Sequence, residues 1–378
     1  MPKNRVIYKS QAVYAGPDKS ADGDSGWRNE SGTTYAPTNL KRIQSANYSF
    51  DIARTDVNQF GELARIDAVV LESPTVSFDT SWYLCNFFNE DTIGLYVNPA
   101  STADGSMQGL LKDVLSTAGV DEKNYYVRVV ADGTDVVGYT NSGKSTNDIV
   151  GIGNGFLSNW SCEGAVGGFP TANVTIEALN ITFTSGNTGY SPCVSTSNGK
   201  KNDASNINKT FCITGTAGSD GGSDSNIKVL KPGNIRLTLP SSQGGADLDD
   251  VKIQSFNASV DMAREPLQKL GSRFAYAREI TFPITATMSV DCLAGDLTDG
   301  NLATMINSDP DQEVIVMLDN DDDSTTHHCA VVLKKAKLDS QSFSQGIGDN
   351  QTVTLSWSAQ VGSAAQNDRG LFLSGSKS

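Results

Sequence analysis

Along Arg42–Arg54 (RIQSANYSFDIAR) apolar and polar residues alternate: Ala46, Tyr48, Phe50 and Ile52 against Ser45, Asn47, Ser49 and Asp51. A period of two marks a strand with one buried face and one wet face. The alternation returns 210 residues later in Lys252–Arg264 (KIQSFNASVDMAR). There Phe256, Ala258, Val260 and Met262 are apolar, and Ser255, Asn257, Ser259 and Asp261 are polar. The apolar residues differ between copies, as core residues do when volume and pattern are kept. The polar set is identical. A merely solvated face has little reason to stay the same in two copies, so these eight polar residues are expected to meet something. The pattern predicts burial of Tyr48, Phe50, Ile52, Val260 and Met262.

The repeat runs on past this strand. Each copy reaches a glycine at the expected turn, Gly61 and Gly271, where positive φ costs little. A second strand region follows, LESPTVSFDTSWYL at Leu71–Leu84 and ITFPITATMSVDCL at Ile280–Leu293, offset by 209 on its last leucine. Pro74 and Pro283 argue for an edge or a bulge there. NVTIEALNITF at Asn173–Phe183 then matches QTVTLSWSAQV at Gln351–Val361, with Val174 and Val353 offset by 179. The shrinking offset puts about 30 extra residues in the middle of the first copy. The chain reads as a tandem duplication of one β-domain.

The predicted fold class is all-β, with one or two short helices and two tandem β-sandwich or barrel domains. The first domain spans residues 1–185, with an extra middle segment at about 98–155. A Gly/Ser/Asn-rich linker or loop covers 186–226, and the second domain, with a polar C-terminal tail, covers 227–378. Arg5–Tyr14 and Ile93–Val97 read as strands, and Tyr125–Val130 with Thr134–Gly138 as a hairpin. Leu110, Leu111, Val114, Leu115 and Ala118 recur at helical spacing before Gly119, which predicts a helix with its stripe in the core. A shorter counterpart lies near Leu302, Met305 and Ile306. The tail after Gly362 reads as extended, with Leu371-Phe372-Leu373 as a docking anchor.

Composition changes this picture little. The 378 residues are 38% hydrophobic and include 36 glycines, which suits a turn-rich β protein with two cores. No apolar run approaches the roughly 18 residues of a membrane-spanning helix. The start, MPKNRVIYKSQAVYAGP, lacks the apolar stretch of a signal peptide, so folding in the cytoplasm is expected. A net charge of −14 argues against a nucleic-acid binder, which needs clustered Lys and Arg to displace counterions. The six cysteines show no CxxC spacing and read as buried thiols, with Cys193 and Cys212 as the pair that an oxidising setting would close.

Three motifs invite chemistry, and each falls short of what its pattern requires in sequence. Gly138–Ser145 (GYTNSGKS) fits the phosphate-loop pattern, but TNDIVGIGNG after it has three glycines and no helical stripe. Asp319–Asp323 (DNDDD) starts like a calcium loop, yet Ser324 and Ala330 stand where such a loop needs Gly and Glu. His327 and His328 are adjacent, so on a strand they point to opposite faces. No catalytic, cofactor or metal site is read from this sequence.

The segment RIQSANYSFDIARTDVNQFGELARIDAVVLESPTVSFDTSWYL, with GGFPTANVTIEAL later, resembles major tail (tail tube) proteins of long-tailed bacteriophages. The resemblance covers the two repeat units and the closing strands, about half the chain, and rests on pattern rather than on a diagnostic motif. It implies β-sandwich or barrel subunits with one helix, whose inner sheets join into rings that stack into a tube carrying DNA to the host. Family members mostly carry one tube domain and form hexamers. A chain with two such domains is therefore expected to form trimers with pseudo-sixfold symmetry, within a virion tail assembled in the host cytoplasm. Other tail proteins would sit at the tube ends, and DNA would pass without specific binding. Ser45, Asn47, Ser49, Asp51, Ser255, Asn257, Ser259 and Asp261 would then face the lumen. The rival reading is a two-domain binding module, an adhesin or distal tail component that holds a surface carbohydrate or protein.

Overall fold

The computed structural model describes residues 11–16, 37–99, 107–116, 122–130, 136, 148–185, 189–190, 192, 210–211, 230, 235–238, 242–243, 246–247, 252–270, 274–275, 277–293, 310–318, 329–344, 351–363 and 366–375. The first half begins with β1 (Gln11–Ala15), β2 (Thr38–Asn39), β3 (Ile43–Asp51), β4 (Thr55–Val57), β5 (Asp67–Val69) and β6 (Thr75–Tyr83). Helix α1 (Phe88–Ile93), β7 (Val97–Asn98) and helix α2 (Lys112–Ser116) follow. The half ends with β8 (Glu122–Val129), β9 (Asp148–Ala165), β10 (Thr171–Ala178) and β11 (Asn180–Ser185). Between the halves, β12 (Gly189–Tyr190) pairs with β13 (Thr210–Phe211). The second half opens with β14 (Ile235–Thr238), β15 (Ser242–Gln243), β16 (Ala246–Asp247), β17 (Lys252–Asp261), β18 (Arg264–Leu267) and β19 (Ala277–Ile280). It closes with β20 (Thr285–Leu293), β21 (Gln312–Leu318), β22 (Cys329–Ser344), β23 (Thr352–Gln360) and β24 (Gly370–Gly375). The chain is all-β with two short helices among the described residues.

One antiparallel sheet runs through both halves in the order β22-β23-β20-β17-β9-β10-β6-β3. The first four strands belong to the second copy and the last four to the first. Within each copy a long strand passes from this common sheet into a second layer. The end of β9 nearer Asp148 pairs with β8 and β11, and the end of β22 nearer Cys329 pairs with β21 and β24. Val76, Phe78 and Trp82 of β6 and Val174 and Ile176 of β10 point into the gap between the layers, where Val13, Tyr125 and Val127 meet them. The rings of Phe78 and Tyr125 lie 5.8 Å apart. Alternation along each strand produces this core, since every second residue faces the other layer.

The pairing registers correct the offsets read along the sequence. Ser45 pairs with Ser81 and Ser255 with Asp291, so both strands of the pair carry an offset of 210 rather than 209. The irregularity between Ile43 and Ser45 recurs between Ile253 and Ser255, so it cancels instead of slipping one copy. The β4–β5 hairpin keeps the same offset, Thr55 opposite Val69 and Glu265 opposite Glu279. For the closing strands Thr171 pairs with Tyr83 and Thr352 with Leu293, an offset of 181 rather than 179. The long strands share it, because Glu163 lies opposite Thr171 and Ser344 opposite Thr352. Asn154 and Lys335, two of the non-glycine residues with positive φ (55° and 50°), also stand 181 apart.

Several local expectations change. Ile93 ends α1 instead of starting a strand; Gly94, at φ 108°, caps the helix. Tyr125–Val129 belongs to β8, which pairs with β1 and β9. Leu371, Phe372 and Leu373 lie inside β24, a buried strand paired with β22 and β7, rather than on an extended tail. The helical stripe from Leu110 yields α2, with Leu110 and Leu111 buried beside it. The larger correction concerns β3: Tyr48, Phe50 and Ile52 are exposed (40%, 57% and 38%), while Val260 and Met262 are buried. The edge position of β3, at the end of the common sheet, is the cause.

Candidate assembly interface

The two halves are joined by backbone pairing between β17 and β9. Ser255 lies opposite Ala165, Asn257 opposite Glu163, Ser259 opposite Ser161 and Asp261 opposite Asn159. The amide of Met262 extends the seam by donating to the carbonyl of Ser158 at 2.7 Å. Gly164 permits close contact here, since a Cβ at that position would lie 2.6 Å from the Phe256 ring. Beyond the paired stretch, Arg264 lies 4.8 Å over the Phe156 ring. Arg278 reaches Glu177 at 3.5 Å. Burial holds the Arg278 guanidinium below its ordinary pKa, and the Glu177 carboxylate works against that shift.

This seam joins unlike edges. The second copy presents its β17 edge and the first copy its β9 edge, so the pairing is head to tail. The opposite edges are therefore left over: β3 at one end of the sheet and the last part of β22 at the other. Among the described residues, β3 pairs only with β6, and residues 337–344 of β22 pair only with β23. Both edges carry exposed apolar side chains, Tyr48 and Phe50 on β3 with Ile52 just past its end, and Phe343 (47% exposed) on β22. Their repeat counterparts Ala258, Val260, Met262 and Cys162 are fully buried, because the other half of the chain covers them. Thus β3 and β17 have the same pattern and different surroundings.

The face of the common sheet turned away from the core is polar across all eight strands. One row reads Asn47, Asp79, Thr175, Asn159 and Asp261 from β3 to β17. A second reads Ser45, Ser81, Asn173, Ser161, Ser259, Thr287, Ser358 and Lys337, crossing the seam without interruption. Hydrogen bonds tie neighbouring strands along these rows. Ser45 and Ser81 hydroxyls are 2.6 Å apart, Thr175 donates to Asp79 at 2.8 Å, and Ser259 meets Thr287 at 2.9 Å. Ser255 and Thr354 both donate to Asp291, at 2.7 and 2.6 Å. Asn47, Ser49, Asp51, Asn257 and Asp261 are exposed, and Ser45, Ser255 and Ser259 are half-buried within the hydrogen-bonded rows. The structure thus brings all eight sequence-selected polar residues onto one face. Sequence reading missed the partners on the other strands, Asp79, Glu163 and Asp291, and the edge residues Ser340, Ser342 and Ser344. Their signal was the same alternation, present in SFDTSWY and SQSFS.

Beneath the polar face, Glu90 of α1 is wholly buried and accepts a hydrogen bond from the Trp82 indole at 2.9 Å. Burial raises its pKa to about 7; the Trp82 and Trp160 indoles and its own backbone amide partly oppose the rise. Burial, with the Glu90 charge added, also raises the nearby Cys162 thiol well above its ordinary range. Cys85, Cys162, Cys292 and Cys329 are buried free thiols, as their spacing suggested.

Residues 138–145, Asp319–Asp323, His327, His328, Cys193 and Cys212 lie outside the described residues, as do Gly119, Thr134, Gly271, Leu302, Met305 and Ile306. Among the described residues no three His, Cys, Asp or Glu side chains gather as a metal site, and no helix is long and apolar enough to cross a membrane. No family model and no curated protein matches the chain.

Proposed function

We propose that this chain is a structural protein of a phage tail tube, three copies of which close into a ring that stacks with others around a DNA-conducting channel. The observation that carries this reading is the head-to-tail seam between β17 and β9, which leaves complementary edges on β3 and β22 with no further strand paired to them among the described residues. A heterologous contact that repeats between copies must close into a ring or run on as a filament. Closure also removes exposed edges, which otherwise promote uncontrolled pairing. Six copies of the domain, two per chain, then complete one barrel.

In such a barrel the apolar face of each strand packs on the second layer and the polar face lines the channel. That lining carries Asp51, Asp79, Glu163, Asp261 and Asp291 among short hydroxyl and amide side chains. Phosphates would be repelled rather than held, so DNA slides through. Negative-stain microscopy of the concentrated protein tests the reading. Rings and stacked tubes are expected; a discrete monomer with no rings contradicts the reading and favours the binding-module alternative.

A further inference from the structure

The duplication specifies how one copy meets the next, residue by residue. Within the chain, β17 residues 255–261 lie opposite β9 residues 165–159. The β3 counterpart of a β17 residue lies 210 earlier, and the β22 counterpart of a β9 residue lies 181 later. Transferring the inner seam by these offsets sets Asn47 opposite Ser344, Ser49 opposite Ser342 and Asp51 opposite Ser340. The same transfer sets Tyr48 opposite Phe343 and Phe50 opposite Gln341. We propose that β3 of one copy pairs with residues 340–344 of β22 in the next copy in this antiparallel register. The proposal rests on the ring reading above and goes further by naming the contact.

The repeat offsets select this register, and the residues it brings together are compatible with it. A slip of one residue would turn the apolar face of β3 toward the channel, so only even slips compete. The proposed register sets the exposed ring of Tyr48 beside that of Phe343; a slip of two one way would set Phe50 there instead, and the other way would leave Phe343 opposite Ala46. Side-chain volumes are also redistributed between the two seams. Val260 faces the large Trp160 in the inner seam, and the large Phe50 faces Gln341 in the outer one. The small inner pair Ala258 and Cys162 becomes the aromatic outer pair. Gln341 carries a buried side-chain amide nitrogen without a hydrogen-bond partner among the described residues, on the strand that the next copy would pair with.

Cysteine pairing in the full chain tests this directly. Opposed residues on antiparallel strands have Cα separations of about 4.5–5.5 Å, within disulfide reach. Ser49→Cys with Ser342→Cys should link copies on mild oxidation, giving covalent dimers and trimers on non-reducing gels. The two sites lie at opposite ends of one chain's sheet, so a bond between them joins copies. Ser161→Cys with Ser259→Cys, opposed in the inner seam, should link within the chain. The displaced pair Ser49→Cys with Ser344→Cys should link at least tenfold more slowly. If rings are seen by microscopy and the displaced pair links faster, or only the inner pair links, the register is overturned while the ring reading stands. If no rings form and no copies link, the ring reading itself falls and takes the register with it.

Discussion

Phe50 and Val260 occupy the same position in the two copies, yet Phe50 is 57% exposed and Val260 is completely buried. The difference arises because Val260 has the other half of the chain against it and Phe50 does not. A buried apolar side chain of this size contributes about 1.5–3 kcal/mol, and burying a charge in its place costs more. Val260→Asp should therefore prevent folding, seen as lost cooperative melting. Phe50→Asp should melt within a few degrees of the parent, because its site is open in the single chain. The same variant should fail to form rings on size-exclusion chromatography.

This contrast shows how far the sequence could be read. The period of two identified β3 and β17 as strands and sorted their residues by face, because adjacent side chains on a strand must point opposite ways. It could not show that one copy lies at an edge and the other in mid-sheet, since burial depends on which strand is the neighbour. The closing strands were misaligned by two for a related reason: a slip of two preserves every face. The offset of 209 came from matching Leu84 with Leu293, but the bulge beside Ser45 is present in both copies and cancels. Helix α1 was missed because FNEDTI is too short to display a stripe. The eight polar residues were legible together because they are identical in both copies.

Glu90 should make folding stability depend on pH. Its carboxyl has a pKa of about 7 in the fold, against an ordinary value of 4.5. Below about pH 4.5 the group is protonated in both states and contributes no pH dependence. Between there and pH 7 the unfolded chain ionises while the folded one stays neutral, so stability falls as pH rises. The loss approaches roughly 3 kcal/mol by linkage and levels off above pH 7. Urea melts of the parent at pH 5 and pH 8 should differ in this sense. Glu90→Gln should remove most of the difference while keeping an acceptor for the Trp82 indole.

The hairpin tips carry apolar side chains in water. Phe60 and Leu63 between β4 and β5, and Leu270 after β18, are fully exposed. If the proposed rings stack, exposed apolar tips such as these would supply adhesion by being buried against the neighbouring ring. Phe60→Ser with Leu63→Ser and Leu270→Ser should leave ring formation intact and shorten tubes several-fold in micrographs. Normal tube lengths would place the stacking contact elsewhere.

Charge reversal tests which face lines the channel. Asp51 and Asp261 are exposed on the polar face, so Asp51→Lys with Asp261→Lys should cost little stability. Tubes should still assemble. The new cations would attract phosphate, so assembled particles should deliver DNA poorly, most clearly at low salt where screening is weak. Unchanged delivery would mean that this face is exterior.

The number of chains in the closed ring tests the central claim most directly. Native mass spectrometry of purified rings should return three times the 40.1 kDa chain mass and multiples of it for stacks. Six chains per ring, or a monomer that persists at high concentration, would contradict the account.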